Sequence, residues 1–158
     1  MKIGFASDIH RLVEGRELIL AGVKVPFDKG ELAHSDGDVV YHALAESILG
    51  ALALGDLGTH FPDTDPKYKN ISSAILVKTV MDMVLAKGYM VGNVDISITL
   101  EKPKLRPFIE DMRQNIAQLL QVSIDSVSVK AGTNESVGEI GKGEAVKADS
   151  IVLLKEKE

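Results

Sequence analysis

Apolar positions along this chain change their period several times, and each change marks an element. Met1 to His10 alternates loosely and carries Ile3, Phe5 and Ile9, the pattern of a short, partly buried strand. Glu17 to Pro26 (ELILAGVKVP) predicts a second strand, interrupted near Gly22, and Lys29 to Gly37 reads as a loop. Val39 to Leu54 is a helical run apolar on most sides, with Asp38, His42 and Glu46 recurring at i, i+4 as one polar stripe facing a cleft. Gly55-Asp56-Leu57-Gly58 ends it, and Phe61 to Pro66 carries two prolines that cannot continue a helix. Ser72-Ser73 caps a helix that runs to Lys87 and stops at Gly88. Val91 to Glu101 alternates through Val94, Ile96, Ile98 and Leu100 as a half-buried strand. Pro107 opens a helix through Leu120, and Val127 to Ala131 and Ala145 to Lys155 complete the strands. The order predicts a single α+β domain over residues 1–158: a mixed sheet with helices packed on one face.

Candidate chemistry concentrates near the N-terminus. In a strand, residues two apart face one side, so Asp8 and His10 project together. His42 lies about one turn inside the first helix, whose side chains lean back toward its N-terminal end. One carboxylate and two imidazoles suit Zn²⁺, and three protein ligands leave the open position of a catalytic site. On residue types alone, Asp8 reads as a turn residue and the histidines as surface or satisfied core groups, and the Asp-x-His spacing is what favours a metal. The acceptor-rich Phe61-Pro62-Asp63-Thr64-Asp65 loop likewise reads as a ligand-enclosing loop or as a polar turn.

Composition narrows the class. With 158 residues the chain is long enough for one sizeable core. No apolar run reaches membrane-spanning length, and no signal or transit segment is expected. The absence of cysteine excludes disulfides and fits a cytoplasmic protein. A net charge of −5 argues against a nucleic-acid surface.

Several blocks, in order, carry a resemblance. They are Asp8-Ile9-His10, His34-Ser35-Asp36-Gly37-Asp38, His42-Ala43, Gly55-Asp56-Leu57-Gly58 and Phe61-Pro62-Asp63-Thr64-Asp65. Lys87-Gly88-Tyr89, Gly92-Asn93-Val94-Asp95, Pro103-Lys104 and Val129-Lys130-Ala131 through Glu135 continue the series. Across nearly its whole length the chain resembles the 2-C-methyl-D-erythritol 2,4-cyclodiphosphate synthase family of the non-mevalonate isoprenoid pathway.

The resemblance implies a phosphorus–oxygen lyase that cyclises 4-diphosphocytidyl-2-C-methyl-D-erythritol 2-phosphate and releases CMP. It implies a homotrimer with active sites between subunits, a cytidine diphosphate substrate as ligand, and neither nucleic acid nor membrane as partner. Asp8, His10 and His42 would hold Zn²⁺, and Glu135 would help hold Mg²⁺ or Mn²⁺ across the diphosphate. His34 and Thr133 would stabilise the transition state, with Ser35 beside His34. Asp56, Leu57 and Gly58 would contact hydroxyls, and Phe61, Pro62, Asp63, Thr64 and Asp65 would enclose the methylerythritol part. Leu100, Glu101, Lys102, Pro103, Lys104, Leu105, Arg106 and Ala131 would form the cytosine pocket, with Gly132, Asn134, Glu139 and Lys142 completing the substrate contacts. Without the resemblance, Lys104 reads as a solvated surface lysine, and Thr133 and Glu135 as an ordinary polar turn.

Some positions depart from the family pattern. Glu46 stands where aspartate is usual, Gly132 where a larger residue is common, and Ser7 where phenylalanine is often found. Gly138-Glu139-Ile140-Gly141-Lys142 replaces the usual Gly-Phe-x-Gly-Arg. In relatives that phenylalanine and arginine line a trimer-axis cavity able to hold an isoprenoid diphosphate, so Ser7, Glu139 and Lys142 imply weak or absent binding of such effectors. Two rival readings need the same residues: a zinc phosphoesterase using metal-bound water, and a non-catalytic, metal-stabilised assembly module.

Overall fold

A computed structural model describes residues 1–158. The first strand, β1 (Lys2–Glu14), outruns the predicted Met1–His10 because its last third finds a second partner. That partner is β4 (Lys29–Glu31), three residues inside the segment read as a loop, which pair Leu12 with Glu31. Glu17–Pro26 is a separate hairpin of β2 (Leu18–Leu20) and β3 (Val23–Val25), turned at Ala21 and Gly22, both at positive φ.

The first helix, α1 (Val39–Ala51), stops three residues before the predicted Leu54. Ala53 takes φ 56° and Gly55 φ 87°, left-handed conformations that end a helix although the apolar pattern continues. A short α2 (Leu57–His60) follows, then α3 (Ser73–Ala86), β5 (Tyr89–Thr99), α4 (Ile109–Leu120) and β6 (Val127–Gly132). Pro107 sits in a 3₁₀ turn, Arg106–Phe108, that leads into α4. A single turn, α5 (Gly138–Gly141), precedes β7 (Ala145–Glu156).

The five-stranded sheet runs β4-β1-β7-β5-β6 and is mixed as expected: β5–β6 is parallel and the other pairings are antiparallel. Alternation assigns the two faces. Val94, Ile96 and Ile98 of β5 and Val146, Ala148 and Val152 of β7 are buried against α1, α3 and α4, all on one side. The opposite face is bare, and on β1 and β7 it exposes Ile3, Phe5, Ile9 and Ile151, with Ile3 at 71% and Phe5 at 62%.

Helix α1 lies directly on β1. A Cβ at Gly4 would fall 1.9 Å from the Ser47 carbonyl oxygen, so only glycine permits this approach. The contact brings the far end of β1, with Asp8 and His10, under the first turns of α1.

Candidate active site and metal centre

Asp8 and His10 leave β1 on the helix-covered face, and His42 reaches them from the first turn of α1. Asp8 Oδ2 is 3.0 Å from His10 Nε2 and 3.4 Å from His42 Nδ1, and the two ring nitrogens are 3.2 Å apart. Three donors on a tetrahedron with zinc-like bonds of about 2.0–2.1 Å would stand about 3.3 Å apart. The three atoms therefore fit one small divalent ion, and the donor set is of the borderline-soft kind zinc accepts.

The outward nitrogens fix which lone pairs face inward. His10 Nδ1 donates to the Gly37 carbonyl at 2.7 Å, leaving Nε2 for an ion. Gly37 keeps φ 86° and a Cβ there would meet Glu31, so glycine is required to aim that carbonyl. His42 Nε2 lies 3.0 Å from both Ser35 Oγ and Ser73 Oγ. Burial disfavours the Asp8 carboxylate, but hydrogen bonds and charge from His10 and His42 outweigh it and hold Asp8 well below its usual range. For His10, burial opposes protonation, while Asp8 and the Gly37 carbonyl shift it upward on balance.

The trio opens into a cavity of about 390 Å³ lined by His34, Ser35, Glu46, Leu57, Gly58, Phe61 and Asp63. Tyr68, Ile71 and Leu76 also line it; the sequence reading did not include them. Phe61 packs edge-on against Tyr68, and His34 Nε2 approaches the Asp65 carbonyl at 3.3 Å, tying the loop to the histidine block. Pro62, Thr64 and Asp65 belong to the same loop without lining the cavity. Asp56 is exposed, and its Oδ1 caps α2 by accepting from Thr59 N and Oγ1.

The polar stripe on α1 divides. His42 and Glu46 face the cavity, but Asp38 is fully buried as the helix N-cap and accepts from Ala21 N, Gly22 N and Tyr41 N. Burial pushes its carboxyl up to about 6 even against those three donors. Glu46 accepts from Leu57 N at 3.1 Å, anchoring α2. Glu31, unremarked in the sequence, is a second buried acid and accepts from Ile19 N and Val39 N.

Leu100, Glu101, Pro103, Lys104, Leu105 and Arg106 gather with Ala131, Gly132 and Thr133 around another cavity of about 710 Å³. Ile109, Glu110, Val129 and Lys130 complete its wall, while Lys102 is exposed and outside it. Beyond Thr133 the chain turns sharply, with Glu135 at φ 53° and Ser136 at φ 60°. Glu101 holds this turn by accepting from Asn134 N at 3.0 Å and Ser136 N at 2.7 Å. Glu135 follows Thr133 of the second cavity's wall without lining that cavity and is not one of the clustered donors Asp8, His10 and His42, and Glu139 and Lys142 are exposed on and just after α5.

A model of the YgbB family matches residues 1–155. The chain belongs to the YgbB family. A 2-C-methyl-D-erythritol 2,4-cyclodiphosphate synthase of Chloroherpeton thalassium is 51% identical over 154 residues, 98% of each chain. The synthase of Geobacter metallireducens is 53% identical over the same share. Among solved structures, a 2C-methyl-D-erythritol-2,4-cyclodiphosphate synthase in its CDP-bound form is 36% identical, with a TM-score of 0.90 over 98% of this chain and 100% of that one. The bifunctional IspDF of Campylobacter jejuni is 42% identical with a TM-score of 0.94 over 98% of this chain, which spans 42% of that longer protein. No helix here is long and apolar enough to cross a membrane.

Proposed function

We propose that this protein converts 4-diphosphocytidyl-2-C-methyl-D-erythritol 2-phosphate to 2-C-methyl-D-erythritol 2,4-cyclodiphosphate and CMP, as one synthase domain over residues 1–158. The observation that carries the reading is the near-tetrahedral donor trio Asp8, His10 and His42, opening into a cavity in a chain similar to named synthases over nearly its full length.

The nucleophile is already part of the substrate, so no serine or cysteine attacker is needed. A 2-phosphate oxygen bonds to the β-phosphorus, the bond from that phosphorus to the bridging oxygen breaks, and the electron pair leaves on CMP. The chain's work is to fold the substrate into attack geometry and to neutralise charge on the phosphoryl oxygens. His34 and Thr133 donate hydrogen bonds to those oxygens, and Ser35, next to His34 in the chain, lies against His42 Nε2. Phe61 and the loop to Asp65 enclose the sugar-alcohol and exclude water. Backbone groups of Leu100–Arg106 and Ala131–Thr133 hold the cytosine. Zn²⁺ held by Asp8, His10 and His42 would supply Lewis acidity toward a phosphate oxygen, and Glu135 would share Mg²⁺ or Mn²⁺ with the diphosphate.

The assembly proposed is a homotrimer with each active site between two subunits. The bare apolar strip of Ile3, Phe5, Ile9 and Ile151 supports burial of that sheet face against further copies. The exposed Glu139 and Lys142 keep the expectation of weak isoprenoid diphosphate binding, tested by calorimetry with geranyl diphosphate, where micromolar affinity would refute it.

The test is incubation of purified, metal-loaded protein with substrate, following CMP release and phosphorus NMR together. A cyclic diphosphate formed one-for-one with CMP supports the synthase. A ring-opened, hydrolysed product would favour the phosphoesterase.

A further inference from the structure

Ser73 is fully buried at the first position of α3, and its side chain ignores the helix it begins. Ser72, the residue at the N-cap position, makes no side-chain capping bond. The capping is done from a distance: Asp36 Oδ2 accepts from Ser73 N at 3.0 Å. The other oxygen, Asp36 Oδ1, accepts from the Ser73 hydroxyl at 2.5 Å, a charge-assisted length. Asp38 N adds a further donor to Asp36 Oδ1 at 3.1 Å and fixes the carboxylate in place.

A hydroxyl has one proton to give. Asp36 takes it, so Ser73 Oγ can only accept from His42 Nε2, 3.0 Å away. Ser35 Oγ, also 3.0 Å from Nε2, accepts from Gly37 N and meets no carboxylate, so it does not impose a direction. We infer that Ser73 and Asp36 are positioning residues that keep the proton of His42 on Nε2, so that the Nδ1 lone pair faces Asp8 and His10. The chain Asp36–Ser73–His42 is then a carboxylate–hydroxyl–imidazole support for the metal, parallel to the direct bond from His10 to the Gly37 carbonyl. It also passes negative charge toward the ring and raises its basicity as a ligand. The inference rests on the metal reading of Asp8, His10 and His42.

The test is a Zn²⁺ competition titration against a chromophoric chelator, comparing the parent protein with Ser73→Ala. Loss of such a support costs about 10–100-fold in metal affinity. The expected result is a Kd at least tenfold weaker in S73A, and any smaller change overturns the inference. A spectroscopic readout stands independently of whether S73A folds. In the zinc-loaded parent labelled with ¹⁵N-histidine, His42 should show a protonated Nε2 and a metal-shifted Nδ1. The reverse tautomer overturns the inference. A parent that binds no zinc in the titration defeats the metal reading itself, a result distinct from a zinc-binding parent that S73A leaves unchanged.

Discussion

Asp8 on β1 and Ala131 on β6 lie in one row across the sheet: Asp8 pairs with Ala148, Ala148 with Ile98, and Ile98 with Ala131. Three strand spacings separate them by about 14 Å. The Asp8–His10–His42 trio and the Thr133–Glu135 turn therefore belong to different regions of one chain, and in the proposed trimer each would meet its counterpart from a neighbouring subunit.

Such sharing predicts complementation. His42→Ala disables one half-site, and a Thr133→Ala, Glu135→Ala double variant the other. Unfolding and co-refolding the two inactive proteins in equal amounts should restore about a quarter of parental turnover, the share of interfaces that pair two intact halves. Activity that stays at the level of the separate variants would show that each site is built within one chain.

Metal loading should stabilise the fold through the same trio. Zn²⁺ at about a hundredfold excess over its Kd should raise Tm by roughly 5–10 °C, and His42→Ala should abolish the rise. Differential scanning fluorimetry with and without chelator measures both. An equal rise in H42A would remove His42 from the ligand set.

Glu101 should matter more for turnover than its place at the rim implies. It holds a turn whose Glu135 and Ser136 occupy left-handed conformations that side chains disfavour. Glu101→Ala frees that turn, and a displacement near 1 Å costs about 10²-fold in rate. Steady-state kinetics should show a fall of that order in kcat/KM with Zn²⁺ affinity unchanged, since the metal trio lies elsewhere. Parental kinetics would show the turn holds its shape unaided.

Glu31 predicts a pH dependence of stability. Burial, reinforced by the charge of Asp38, pushes its carboxyl from an ordinary 4.5 up to about 9. Between those values the folded protein keeps a proton that the unfolded chain has lost. The contribution is therefore fully present below about 4.5 and is lost as pH rises toward 9, by at most about 1.4 kcal/mol per pH unit. Glu31→Gln has no such proton, so thermal unfolding from pH 5 to pH 9 should show a shallower decline in Tm than the parent. Parallel curves would mean Glu31 is ionised in the native state.

Much of this was legible in the residues because the patterns were local. Alternation at Val94, Ile96 and Ile98 gave β5, and the Asp8-x-His10 spacing placed two candidate ligands on one side of β1. What stayed hidden depends on partners distant in sequence. Lys29–Glu31 has no strand pattern and is a strand only because β1 runs long enough to pair with it. Asp38 shared a helical stripe with His42, yet its position at the N-cap buries it against the β2–β3 turn. Ser73 looked like half of a cap, and nothing local indicates that its hydroxyl turns to Asp36 and His42 instead. The Asp8–His10–His42 cluster itself follows from Gly4, whose missing side chain lets α1 settle on β1.

The most direct measurement is phosphorus NMR of the metal-loaded protein turning over 4-diphosphocytidyl-2-C-methyl-D-erythritol 2-phosphate. Two coupled resonances of a cyclic diphosphate should appear in step with CMP and be absent with Asp8→Asn. Free phosphate or an open-chain bisphosphate in their place, or undiminished turnover by D8N, would contradict the proposed function.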